Sequence, residues 1–158
     1  MRKIKIYLDT SVISHLLQED VPEKMDDIIK FWEQIMNRED TEVILSVVTM
    51  QEISECAEPK LSYLLTKIAE LKPTLVEETE EDLQISRLYL ENGVLKEKSM
   101  DDLRHIAIAV NNNCKYIVSW NFKHFVNPKT MNAVAAINKL NNLNDVTIVS
   151  PSMMLGGF

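Results

Sequence analysis

Ile4, Ile6 and Leu8 alternate with polar neighbours at the start of the chain, the period of a half-buried strand, and Asp9 ends that run. The spacing then changes. Residues 10–18 open on Thr10 and Ser11 and read as a helix, and Ile28, Ile29, Trp32, Ile35 and Met36 recur as a helical stripe facing a core. A β-rich run covers 41–48, a short helix is predicted over 49–57, and another over 61–72, introduced by Pro59 and stopped by Pro73. After a short extended piece at Leu75 and Val76 come a helix over 79–92 closed by Gly93, a lysine-rich loop, and a helix over 101–110 whose buried face is marked by Leu103, Ile106, Ala107 and Val110. Residues 115–120 read as a buried strand, 131–142 as a helix and 146–150 as a last strand, before a loose tail ending in Gly156, Gly157 and Phe158. Short strands separated by helices predict an α/β fold: a central, mainly parallel sheet with helices on both faces.

The length of 158 residues fits one domain with its core over about 4–150, enough to bury roughly 70% of the unfolded surface. No repeat or linker interrupts it. Hydrophobic residues make up 46%, yet no apolar run approaches the roughly 18 residues needed to cross a bilayer, and the first residues lack a signal-peptide pattern. A cytoplasmic protein with no membrane partner is therefore expected. Cys56 and Cys114 stand alone, without metal or disulfide spacing, and are expected to be buried and inert. The formal net charge of −7 argues against a protein that coats nucleic acid non-specifically, because phosphate binding rests on clustered Lys and Arg. A local basic rim from Lys96, Lys98, Arg104, Lys123 and His124 stays open, beside the plainer reading of a solvated mixed-charge surface.

The chemistry concentrates where elements end. Asp9 closes the first strand, Glu52 follows the second, Asp101 and Asp102 open the helix over 101–110, and Asn121 follows the strand over 115–120. In a parallel sheet, groups at strand carboxyl ends and adjoining helix starts converge on one crevice. Three carboxylates there would repel one another unless a cation neutralised them, and such hard oxygen ligands suit Mg²⁺ or Mn²⁺. Each residue also has a local explanation. Asp9 and Asn121 are good helix caps, Thr49 and Glu52 have capping-box spacing, and Ser99 and Asp102 repeat it weakly. Thr79 and Asp82 show the same spacing where no chemistry is expected.

Other chemistries fare worse. The three histidines, His15, His105 and His124, are not paired at zinc spacing, and three glycines build no phosphate-cradling loop. His105 follows Asp102 by one turn and is expected to be structural. Trp120 and Phe122 flank Asn121 and could stack on bases, although core packing is the expected use.

In pattern and order these residues resemble the PIN domain ribonucleases and, within them, the VapC-type toxins of bacterial toxin–antitoxin pairs. Residues 7–14 look like the first motif of that family with Asp9, residues 46–53 like the second with Glu52, residues 101–109 like the third with Asp102, and residues 118–125 like the fourth, where Asn121 stands at an Asp or Asn position. The similarity runs from Ile4 to about Met154. It implies a PIN-like fold and a metal-dependent endoribonuclease that cuts single-stranded or looped RNA, leaving a 5′-phosphate and a 3′-hydroxyl. Asp9 and Asp102, with Glu52 directly or through water, would hold Mg²⁺ or Mn²⁺, and Asn121 would orient the attacking water. Thr10, Ser11, Arg104 and Lys123 would contact the carboxylates or the substrate. The resemblance also implies an antitoxin partner. Leu61, Tyr63, Leu64, Leu65 and Ile68 offer more apolar surface than one core-facing stripe needs, which allows a homodimer.

The alternative is a non-catalytic PIN-like module that binds RNA or protein, favoured if the pocket holds no metal or if the acids pair with Arg104 and Lys123. A phosphatase with Asp9 as nucleophile ranks last, because the haloacid dehalogenase pattern needs an Asp where Ser11 stands.

Overall fold

Alternation along β1 (Ile4–Leu8) sorts its side chains onto two sheet faces, and both faces are covered. The computed structural model describes residues 2–157. With β2 (Thr41–Ser46), β3 (Thr74–Val76), β4 (Tyr116–Val118) and β5 (Thr147–Val149), β1 forms one sheet in the order β3-β2-β1-β4-β5. Every pairing is parallel, with Ile6 opposite Val43 on one side and Tyr116 on the other.

On one face Ile6, Leu8, Val43, Leu45 and Val118 pack with Val12, Ile28, Phe31, Trp32, Ile35, Leu64 and Ile68. These come from α1 (Thr10–Ser14), α2 (Pro22–Met36) and α4 (Lys60–Leu71). On the other face Tyr7, Ile44, Ile117 and Ile148 pack with Ile85, Tyr89, Leu103, Ile106, Val110, Val134 and Ile137. Those belong to α5 (Glu80–Glu91), α6 (Met100–Asn111) and α7 (Pro128–Leu140). Helix α3 (Val47–Ser54) sends Val48 to one core and Ile53 to the other. This is the expected α/β architecture, with a sheet that is wholly parallel.

Several local expectations are corrected. The helix expected over 10–18 is α1 followed by a 3-10 turn, His15–Leu17. The β-rich run stops at Ser46, and Val47 and Val48 begin α3 although both are β-branched. The Ser46 side chain accepts the Thr49 N–H and so starts the helix there. The strand over 115–120 is shorter, Tyr116–Val118; the Ser119 N–H still bonds the Val149 carbonyl at 2.9 Å, while the Trp120 N–H turns to the Ser11 hydroxyl. The tail is not uniformly loose: Ser150 caps a short helix, α8 (Pro151–Met154), which packs on α2 through Met154; Phe158 lies outside the described residues. Cys114 is buried, its thiol pKa pushed up to about 12 by that burial, whereas Cys56 is only half-buried. Among the described residues no helix is long and apolar enough to cross a membrane.

Candidate functional site

Strand order reverses at β1, which has β2 on one side and β4 on the other. The carboxyl ends of β1 and β4 therefore open a crevice at a topological switch point, where open α/β sheets place their ligands. Asp9 sits at that point and is 5% exposed. Its N–H prolongs the ladder to the Val118 carbonyl at 3.0 Å. Its Oδ2 accepts two hydroxyls, Ser11 at 2.7 Å and Ser119 at 2.9 Å. Those serines accept in turn the backbone N–H groups of Trp120 at 3.0 Å and Asn121 at 2.9 Å. The ends of β1 and β4 are thus stitched together through one carboxylate oxygen. The other oxygen, Oδ1, makes no hydrogen bond among the described residues and faces His105 Nε2 at 3.7 Å.

Glu52 reaches the same imidazole from α3. Its Oε1 lies 2.5 Å from His105 Nε2 and accepts the Thr10 hydroxyl at 3.1 Å. His105, on α6, is fully buried, and its Nδ1 lies 2.6 Å from the Tyr7 hydroxyl, which lies 2.7 Å from Ser46 Oγ. One ring therefore links β1, β2, α3 and α6. Burial opposes a charge on His105, but Tyr7, the hydrogen bond to Glu52 and the neighbouring Asp9 outweigh it and hold its pKa well above the ordinary value.

Asp102 enters from the first turn of α6. Its Oδ2 is 2.7 Å from His124 Nδ1. Burial raises its pKa, the His124 hydrogen bond opposes that shift, and the charge of Asp9 adds to it. Asn121 uses Oδ1 to accept the His124 N–H at 2.9 Å, so its side chain shapes the turn that presents His124. Phe122 is 47% exposed, against the expected core role, whereas Trp120 is buried.

Arg104 is committed elsewhere. It donates two hydrogen bonds to Glu78, at 2.8 and 2.6 Å, and one to Asp101 at 2.9 Å, and these partners raise its pKa further. Among the described residues it makes no ion pair with Asp9, Glu52 or Asp102, so the pairing that would favour a merely structural acid cluster is not seen. Lys123 is exposed and forms no ion pair among the described residues.

Capping accounts for little of this. Asp9 stands at the N-cap of α1 and Ser99 at that of α6, and neither side chain makes a cap bond. Only Thr79 and Asp82 form a full capping box of the three acid-bearing pairs expected. Sequence reasoning did not assign Tyr7, Ser46, Ser119 or His105 to the site, and placed His124 only in a possible basic rim beside it. Ser46, Ser119 and Tyr7 carried a signal, being polar groups at the ends of buried strands, and His105 carried another by falling on the buried stripe of α6.

Asp9, Glu52 and Asp102 are hard oxygen donors of the kind a divalent cation takes. As arranged, however, no group of three or more His, Cys, Asp and Glu side chains among the described residues is gathered to hold a metal. Glu52 and Asp102 are bonded to imidazoles instead.

No family model and no curated protein matches the chain. Among solved structures, the crystal structure of VapBC2 from Rickettsia felis bound to a DNA fragment from their promoter is similar, with a TM-score of 0.55 and 12% identity over 93% of this chain and 98% of that one. At that identity the likeness is one of fold. The chain has a PIN-like arrangement, a five-stranded all-parallel sheet flanked by helices.

Proposed function

We propose that this protein is a Mg²⁺- or Mn²⁺-dependent endoribonuclease, the toxin of a toxin–antitoxin pair acting in the cytoplasm. One observation carries the reading: two carboxylates, from Asp9 and Glu52, meet at a single buried imidazole, and a third, Asp102, stands one turn before that imidazole on the same helix. Asp9, Asp102 and Glu52 would hold the cation, with Glu52 and Asp102 exchanging their histidine contacts for it. A bound divalent ion supplies a lowered pKa for the attacking water and offsets charge on the phosphate.

The remaining work falls to the chain. Ser11 and Ser119 fix Asp9 Oδ2 and leave Oδ1 facing His105 without a hydrogen bond among the described residues. Thr10 and His105 fix Glu52. Asn121, through the turn it closes, sets the position of His124 beside Asp102. Water attacks phosphorus, the bond to the 3′-oxygen breaks, and 5′-phosphate and 3′-hydroxyl ends result. Of the four residues expected to touch substrate or carboxylates, Thr10 and Ser11 bond the acids directly, Lys123 stays available for phosphate, and Arg104 orders the start of α6 through Glu78 and Asp101. The antitoxin would cover the crevice. A second copy would meet α4, where Tyr63 and Leu65 are exposed while Leu64 and Ile68 are buried.

The second reading, a non-catalytic PIN-like module that binds RNA or protein, is favoured by the imidazole contacts already made by Glu52 and Asp102. Cleavage of total cellular RNA with Mn²⁺, followed by sequencing of 5′ ends, separates the two. Cuts that need metal and vanish in both Asp9→Asn and Asp102→Asn establish the nuclease. Equal cutting by all three proteins, or folded wild type that neither cuts nor binds Mn²⁺, rejects it.

A further inference from the structure

Beside the crevice, and separated from it by His124, lies a cavity of about 470 Å³ whose lining includes Lys96, Lys98, Lys123 and Lys129 and no carboxylate. All four lysines are exposed, and none forms an ion pair among the described residues. In a chain of net charge −7, that is a local concentration of positive charge lining one cavity, although Glu97 stands between Lys96 and Lys98 in the sequence. The cavity has a built wall. Asn127 donates to the Phe122 and Lys123 carbonyls at 3.0 and 2.9 Å while its Oδ1 caps α7 by accepting the Thr130 N–H, and the N–H groups of Phe125 and Val126 both bond the Asn121 carbonyl.

The same loop carries an aromatic surface. Phe122 is 47% exposed, its ring 6.0 Å from that of buried Trp120, with Lys24 Nζ 6.0 Å from the Phe122 centroid. A cationic cavity and an exposed ring on one ordered loop provide the two things single-stranded nucleic acid binds through, a backbone track and a base platform.

We propose that the cavity is a phosphate-binding subsite for single-stranded RNA, with a base stacked on Phe122 and the neighbouring backbone held by Lys96, Lys98, Lys123 and Lys129, so that the strand passes His124 on its way to Asp102. The choice of RNA as the occupant rests on the ribonuclease reading. The cavity itself rests on charge complementarity. The loop thereby does two jobs: Asn121 and His124 serve the acids, and Phe122 and Lys123 serve the strand.

The test is fluorescence anisotropy with a labelled mixed-sequence RNA 12-mer in EDTA over a salt series. Lys96→Gln/Lys98→Gln/Lys129→Gln is compared with Phe122→Ala and with Arg2→Gln/Lys3→Gln/Lys115→Gln. The last removes equal charge from a second cavity, which also contains Glu42 and Asp145. The cavity triple variant should flatten the logarithmic salt slope by about 2, since each lost phosphate contact on a single strand removes about 0.7. Phe122→Ala should weaken binding about tenfold at unchanged slope. The control triple should change neither.

Equal losses in both triples, wild-type binding by the cavity triple, or equal affinity for an oligoglutamate peptide would each overturn the proposal. Binding through the cavity by a protein that never cuts RNA with Mn²⁺ would sink the nuclease reading and leave the subsite standing. Cutting with unchanged KM in the cavity triple would do the reverse.

Discussion

The starts of α3 and α5 carry the same spacing of threonine and acid, Thr49 to Glu52 and Thr79 to Asp82, and put it to opposite uses. At α5 the box closes: Thr79 accepts the Asp82 N–H at 3.1 Å, Asp82 accepts the Thr79 N–H at 2.8 Å, and its other oxygen accepts Asn111 Nδ2 at 2.7 Å. Asp82 is 1% exposed and fully spent on local structure. At α3 the strand hands over to the helix earlier. Ser46 is the cap, Thr49 falls where the acid of a box would stand, and Glu52 lies deeper in the helix without a local partner. Its carboxylate reaches Thr10, 42 positions away, and His105, 53 positions away. A shift of three residues in where a helix begins turns a capping acid into a crevice acid.

The contrast can be broken most sharply through activity. Glu52→Gln should lower Mn²⁺-dependent RNA cleavage about a hundredfold or more, roughly 2.7 kcal/mol of barrier, whereas Asp82→Ala should leave kcat within about twofold. Initial rates on one RNA substrate decide it, and comparable losses in both variants would erase the distinction. Stability should show the opposite order. Asp82→Ala orphans the Thr79 N–H and Asn111 and should cost about 2 kcal/mol by denaturant unfolding, more than Glu52→Gln.

The caps themselves should differ next. Ser46→Ala removes the α3 cap and a buried partner of Tyr7, an expected loss of about 1.5 kcal/mol, while Thr49→Ala should cost less because its hydroxyl lies at a long 3.4 Å from Tyr7. A lower midpoint for Thr49→Ala than for Ser46→Ala would place the cap at Thr49 after all.

Smallest is the pH effect. The folded pKa of His105 is raised above 6.5, so in metal-free buffer its contribution to stability is complete below pH 6.5 and is lost as pH rises through the folded value. Glu52→Gln takes away one of the groups that raise it and should move that loss to lower pH. Asp82→Ala should leave the profile in place. Urea midpoints measured across that range report both.

Much of the fold was legible because its causes are local. Alternation at Ile4, Ile6 and Leu8 marks a strand, the stripe from Ile28 to Ile35 marks α2, and Pro59 and Pro73 bracket α4. Where those signals compete, period alone misplaces the boundary. Val47 and Val48 have strand-forming side chains, yet Ser46 supplies the acceptor that starts a helix. In the site, the positions of Asp9, Asp102 and Asn121 follow from element ends, whereas Glu52 lies in the second turn of α3, and the partners of all four do not follow. Arg104 stands two residues from Asp102 and turns to Glu78, and His105, with no histidine partner at metal spacing, becomes the point where Glu52, Tyr7 and Asp9 meet.

The sequence by itself determined the order of strands and helices, the parallel character of the sheet and the placing of Asp9 and Asp102 at element ends, because propensity, periodicity and capping act within a few residues. Only the tertiary structure decided which acid is consumed by a cap, which is bonded to an imidazole and which lysines share a cavity. Those outcomes depend on contacts such as Tyr7 to His105, 98 residues apart, which exist only once β1, β2 and α6 have packed.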